Sequence, residues 1–408
     1  MQTLPNIDAP GLGRLQQRAL IAAAIGLIAG GVGAATNIDQ FFRSWLIGFL
    51  FVLSLALGSL ALLMLQHLSG GQWGLVGRRI FEAGTRTLPV VAILFLPVVF
   101  GLKRLFVWAD PVKVQASHIL QMKEPYLNVS FFVGRAIFYF LFWLACVWLL
   151  NKWSAAQDRG EALTKRDSVR FRTLSAPGLL FLVLTVTFAS VDWVMSLEPE
   201  WFSTIFGLLT IAGYGLTAIA FTITVLAAID SDHPAGSYLT PRHFHDFGKL
   251  LLAFVMLWAY LSFSQFLIIW SGNLPEEIPW YVARVTGAWG YVAIALVIGH
   301  FALPFALLLS ANLKKRSGTI AKVALFVLAM RLVDLIWLVA PTFRQFAPAD
   351  AGGAHGVMTA SGMHWMDLAI PIGLTGLWIF LFVRNLRARP LFPVNDPYFK
   401  EAFAHDAH

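Results

Sequence analysis

Six ionisable side chains fall in stretches apolar enough to lie in hydrocarbon: Arg135, Asp192, His300, Arg331, Asp334 and Asp367. A charge near the centre of a bilayer costs about 2.5 to 3.5 kcal/mol on insertion scales, so each needs a partner or a task. Carboxylates and histidine can pass protons because burial and neighbouring charges move their pKa values. The six are therefore the candidates for proton transfer. Arg331 and Asp334, three apart on one helix, share a face and can neutralise each other. Arg135 lies close to the start of its apolar run and can snorkel outward. Asp367, beside His364, is expected at the interface. For Asp192 no partner is visible locally, so a proton-transfer role and an ion pair with Arg135 or Arg331 both stay open. His300 is the one histidine well inside a run, near Pro304. It suits either a core hydrogen bond or a polar thread with Tyr260, Ser262, Ser264, Gln265 and Tyr291.

Other residues carry less. The single cysteine, Cys146, lies within an apolar run and reads as core, which removes disulfides, CxxC zinc sites and Cys-ligated iron-sulfur clusters from this chain. A membrane haem with two axial histidines needs them facing each other, whereas His67 and His364 sit at run ends on opposite sides. No haem, metal or other cofactor is expected in the chain, and no catalytic residue. His243, His245 and Asp246, just before the seventh run, read as surface residues. Trp193 and Trp201 flank a short acidic turn, Leu197 to Glu200, and suit a membrane-water interface.

The elements that must hold these groups follow from hydropathy. Apolar residues form 58% of the 408 and charged residues 13%. That composition belongs to a polytopic membrane protein. Ten runs are long enough to span: 18–36, 44–66, 86–103, 128–151, 175–197, 202–228, 248–272, 281–310, 319–340 and 364–386. Bare backbone finds no partner in hydrocarbon, so each is expected to be helical, giving an all-α integral membrane fold. The first run is read as a retained helix rather than a signal peptide. Lys and Arg favour the side that holds both termini by roughly three to one, which places the termini in the cytoplasm. The net charge of +8 follows from that bias, and no nucleic acid is expected. Residues 1–408 form one membrane domain with a cytoplasmic tail at 387–408. Val191-Asp192-Trp193 and Val333-Asp334 with Trp337 stand four runs apart, a faint repeat that suggests two four-helix bundles, 44–197 and 202–340, with the first and last helices peripheral.

Two long strings carry a family resemblance: SVDWVMSLEPEWFSTIFG, from Ser190 to Gly207, and KLLLAFVMLWAYLSFSQFLIIWSGNLPEEIPWY, from Lys249 to Tyr281. They closely resemble the F-type integral membrane subunit of bacterial alternative complex III, a polysulfide-reductase-like (NrfD-like) protein. The resemblance implies two four-helix bundles with flanking helices, in the bacterial inner membrane. It also implies a place in a respiratory assembly that oxidises quinol and passes electrons to cytochrome c or to a terminal oxidase. The implied partners are a homologous C-type membrane subunit that is the better candidate for the quinol site, an iron-sulfur subunit, multihaem and monohaem cytochrome c subunits, small membrane subunits, and lipid. Haem c and iron-sulfur clusters would then belong to those partners. Of the candidate residues, only Asp192 lies within a matching string.

Three rival readings stay open. The chain could be the quinol-binding subunit itself, with Asp192 accepting a quinol proton. It could be a secondary transporter, although the repeat runs parallel and no unwound motif interrupts a run. Or it could be a structural anchor whose buried charges are all paired.

Overall fold

The computed structural model describes residues 10–161, 164–232, 239–346, 358–360, 362–393 and 395–399. Among these, ten helices are long and apolar enough to cross a membrane. In order, spans 1 to 10 are Gly11–Thr36, Ile38–Ser69, Gln72–Phe100, Val129–Asp158, Ser168–Leu197, Phe206–Asp230, Pro241–Gly272, Gly287–Leu309, Ser317–Thr342 and Met366–Arg387. Each expected run overlaps one of them, five lying wholly inside and five, most of all 281–310, reaching past an end. The chain is an all-α, multi-pass membrane protein, with one addition: a short antiparallel pair of strands, Arg344–Phe346 with Met358–Ala360.

The helices extend beyond the apolar runs, most of all in span 3. Hydropathy starts that helix at 86 and leaves Arg78 and Arg79 in a loop, but the helix begins at Gln72 and both arginines are buried. Helix geometry brings Glu82 within reach of each, at the i,i+4 and i,i+3 spacings, and this local neutralisation lets the polar turn pack inward.

Prolines set the breaks. A proline has no N–H for the carbonyl four residues back and its ring crowds that carbonyl. In span 3 the first segment ends at Thr85, four before Pro89, and the second ends at Ile93, four before Pro97. In span 8, Pro304 has no N–H to offer the carbonyl of His300, and the helix widens there into a π-helical turn, Val297–Ala302. Such wide turns are rare and gather at functional places.

Two helices organise the packing. Span 2, with 94% of its apolar window buried, contacts spans 1, 3, 5, 6, 9 and 10. Span 6 contacts spans 1, 2, 3, 5, 7 and 9. Spans 1 and 10 lie against each other and against span 2. Their crossing is close because glycines meet: a Cβ on Gly26 would stand 2.5 Å from the Gly373 Cα. Beyond span 10, Asn395 bonds the Gln157 and Asp158 carbonyls at 3.1 Å, so residues 395–399 are packed onto the helix ends rather than trailing from them.

Candidate functional site

Asp192 is fully buried on span 5, and its partner is Arg135 on span 4. The guanidinium grips the carboxylate with two parallel bonds, Nε to Oδ2 at 2.9 Å and Nη2 to Oδ1 at 2.8 Å. Tyr139, one turn further along span 4, donates its hydroxyl to Oδ2 at 2.9 Å. Bidentate charge-assisted bonds of this kind are strong and fix orientation. Arg135 does not snorkel. Its remaining Nη1 donates to the Tyr126 carbonyl at 3.0 Å, and its plane lies over the Tyr126 and Phe131 rings at 3.9 and 4.3 Å. Burial, and then the nearby Asp192 carboxylate, push the Tyr126 phenol well above its usual pKa. Trp193 is buried too, stacked on Phe140 and packed against Phe95 and the edge of Trp143, and Trp201 stacks on Trp280 at 4.3 Å. Both tryptophans belong to the core, where the aromatic neighbours from other spans and loops cover them, and not to an interfacial belt.

The second half of the chain gathers a different group. Arg331 and Asp334 of span 9 form the ion pair that their spacing predicts, both buried. Room for the guanidinium comes from Gly213 on span 6, where a Cβ would strike it. His300, on the π turn of span 8, is fully buried, with its ring 4.1 Å from the Trp258 ring of span 7. Both imidazole nitrogens, and Nε of Arg331, are buried without a hydrogen-bond partner among the described residues. A buried polar atom left without a partner costs about 1 to 3 kcal/mol. Spans 6, 7, 8 and 9 thus converge on one incompletely satisfied cluster.

The polar thread proposed for His300 does not run through span 7. Tyr260 and Tyr291 are 66% and 78% exposed on the outer surface of the helices, while Gln265 turns inward to bond Ser203 at 3.1 Å. Helical phase separates residues that the sequence shows only as polar and near. Asp367 is likewise turned inward: though at the start of span 10, it accepts from Ser44 at 2.6 Å and Gln40 at 2.8 Å, both on span 2. His243 is buried and caps span 7, its Nδ1 accepting from the Thr240 N–H at 3.1 Å, which corrects its reading as a surface residue. Cys146 is buried in the core.

Two charged groups escaped the sequence reading. On the terminus-bearing face, Arg78 bonds Glu82 at 2.9 Å, Asp396 at 2.5 Å and Gln157 at 2.7 Å, while Arg79 joins Glu82 at 2.7 Å and pairs with Asp158. The Arg-x-x-x-Glu spacing was the available signal. On the opposite face, Arg284 bonds Glu198 at 2.9 Å and Thr342 at 2.8 Å, with its plane 3.8 Å over Trp280. This arginine, on the short helix Ile278–Val285 before span 8, ties the turn after span 5 to the end of span 9.

Among the described residues no three His, Cys, Asp or Glu side chains gather as metal ligands would. The fold and its buried charges define a multi-pass α-helical membrane protein with two intramembrane ionic sites. No family model and no curated protein matches the chain.

Proposed function

We propose that this chain is a membrane subunit of a quinol-oxidising respiratory complex, akin to the F-type subunit of alternative complex III, and that its His300–Arg331–Asp334 cluster handles protons. What supports the assignment to such a complex is the resemblance of Ser190–Gly207 and Lys249–Tyr281 to that family. The observation that carries the proton role is an imidazole with two unsatisfied nitrogens, buried on a π turn beside an ion pair. Adding a proton to His300 sets a second cation by Arg331, and adding one to Asp334 loosens its hold on the same guanidinium. A change of charge on the imidazole or the carboxylate is therefore felt at the same guanidinium, the coupling that a proton relay needs. In this reading the chain holds no redox centre, its termini face the cytoplasm of a bacterial cell, and the haem c and iron-sulfur clusters sit in partner subunits.

The saturation of Asp192 favours a second role for that residue. With Arg135 and Tyr139 already bound to it, Asp192 serves as a structural clamp, and a quinol-contacting role for it is the weaker reading.

The test begins with mild-detergent purification through a C-terminal tag, followed by mass spectrometry and a visible spectrum. Co-elution of c-type haem and an iron-sulfur subunit is expected, and a colourless chain eluting alone would overturn the respiratory reading. In the purified complex, Asp334→Asn and His300→Phe are expected to lower the proton-to-electron ratio while quinol oxidation continues. Ratios equal to wild type would overturn the proton role.

A further inference from the structure

One apolar groove, of about 610 Å³, draws its walls from spans 1, 2, 6, 9 and 10. On span 1 it runs from Leu12 to Ala22. Ten residues of helix are about 15 Å, half the ~30 Å hydrocarbon thickness of a bilayer. The other walls agree in direction: Leu325 to Leu332 on span 9 runs from the terminus-bearing face inward, and Phe382 to Ile372 on span 10 retraces the same depth. The groove is therefore one leaflet deep and opens toward the face that carries the termini.

Its one charged wall residue is Arg18, which is exposed and makes no ion pair among the described residues. Side chains on a helix tilt toward its N-terminus, so the Arg18 guanidinium leans toward the same face. Arg18 stands between Leu12 and Ala22 with its side chain leaning toward the Leu12 end, and a cation so placed in an otherwise apolar groove matches an acyl chain attached to a phosphate. An isoprenoid quinone would fill the apolar part but give the guanidinium no anion to pair with.

We infer that the groove holds one acyl chain of a phospholipid whose phosphate is paired by Arg18. The lipid would fill the space between the peripheral spans 1 and 10 and the bundle formed by spans 2, 6 and 9. Its binding does not depend on the redox role proposed above.

The probe is a nanodisc of phosphatidylcholine doped with phosphatidylglycerol, into which the full purified chain is reconstituted. Native mass spectrometry then counts the lipid retained after release. Wild type is expected to keep one phospholipid, with phosphatidylglycerol several-fold over its share of the bilayer. Arg18→Gln is expected to keep a phospholipid and lose that headgroup preference, whereas Ala329→Trp, which fills the groove from span 9, is expected to lose the lipid. Wild type retaining no lipid, retaining an added ubiquinone in its place, or showing no change of preference in Arg18→Gln would each overturn the inference. Arg18 is an exposed position, so its variant is informative even if the tryptophan variant fails to fold.

Discussion

Each half of the molecule buries an aspartate in a span, and the two halves treat it differently. Asp192 receives three hydrogen bonds from Arg135 and Tyr139 on the neighbouring span. Asp334 is paired by Arg331 of its own helix, three residues away, beside a histidine that bonds to nothing among the described residues. Two buried aspartates have thus become a clamp in one half and an open cluster in the other. The difference lies in the partner. A cation from another helix can approach the carboxylate edge-on and satisfy both oxygens, whereas one on the same helix, three residues off, reaches it only from the side.

If the contrast holds, the clamp is the place where single changes cost most. Arg135→Ala strands a buried carboxylate and is expected to cost about 3 to 5 kcal/mol, read as a large fall in thermal stability of the purified protein. The double variant Arg135→Met/Asp192→Leu removes both charges and should recover most of that loss; failure to recover would mean that Asp192 does more than hold helices together. Tyr139→Phe deletes one bond to a charged acceptor, and a loss of about 1.5 to 3 kcal/mol is expected in the same melt. In the other half, Gly213→Ala pushes on the Arg331 guanidinium and should destabilise by about 1 to 3 kcal/mol. Its proton-to-electron ratio should fall with it, since the ion pair is displaced. Smallest in size and opposite in sign is His300→Phe. Replacing unsatisfied nitrogens by carbon of similar shape should leave stability unchanged or raise it by about 1 kcal/mol, and a clear loss instead would show that the imidazole is bonded in the membrane.

The two faces of the helix bundle show a parallel contrast. Glu82, with Arg78 and Arg79, is built from one turn of one helix and then joined by Asp158 and Asp396. Glu198 instead waits for Arg284, which arrives on a short helix 86 residues later in the chain. The first contains a local signal that hydropathy masks, because a polar turn between two apolar runs looks like a loop. The second contains none.

By itself the sequence determined the ten membrane helices and the Arg331–Asp334 pair. The helices follow because length and hydropathy are local properties and hydrocarbon forces the backbone to satisfy itself. The pair follows because its spacing lies within a single turn. The proline positions likewise mark where spans 3 and 8 break, since a proline acts on the carbonyl four residues back. What only the tertiary structure decided is which faces meet. Arg135 and Asp192 are 57 residues apart, and Arg78 and Asp396 are 318 apart. Whether Arg135 snorkels or clamps, whether Asp367 faces water or Ser44, and whether His300 finds a partner all depend on the rotation of one helix against another. That rotation is set by packing summed over the whole bundle, and no short stretch of the chain encodes it.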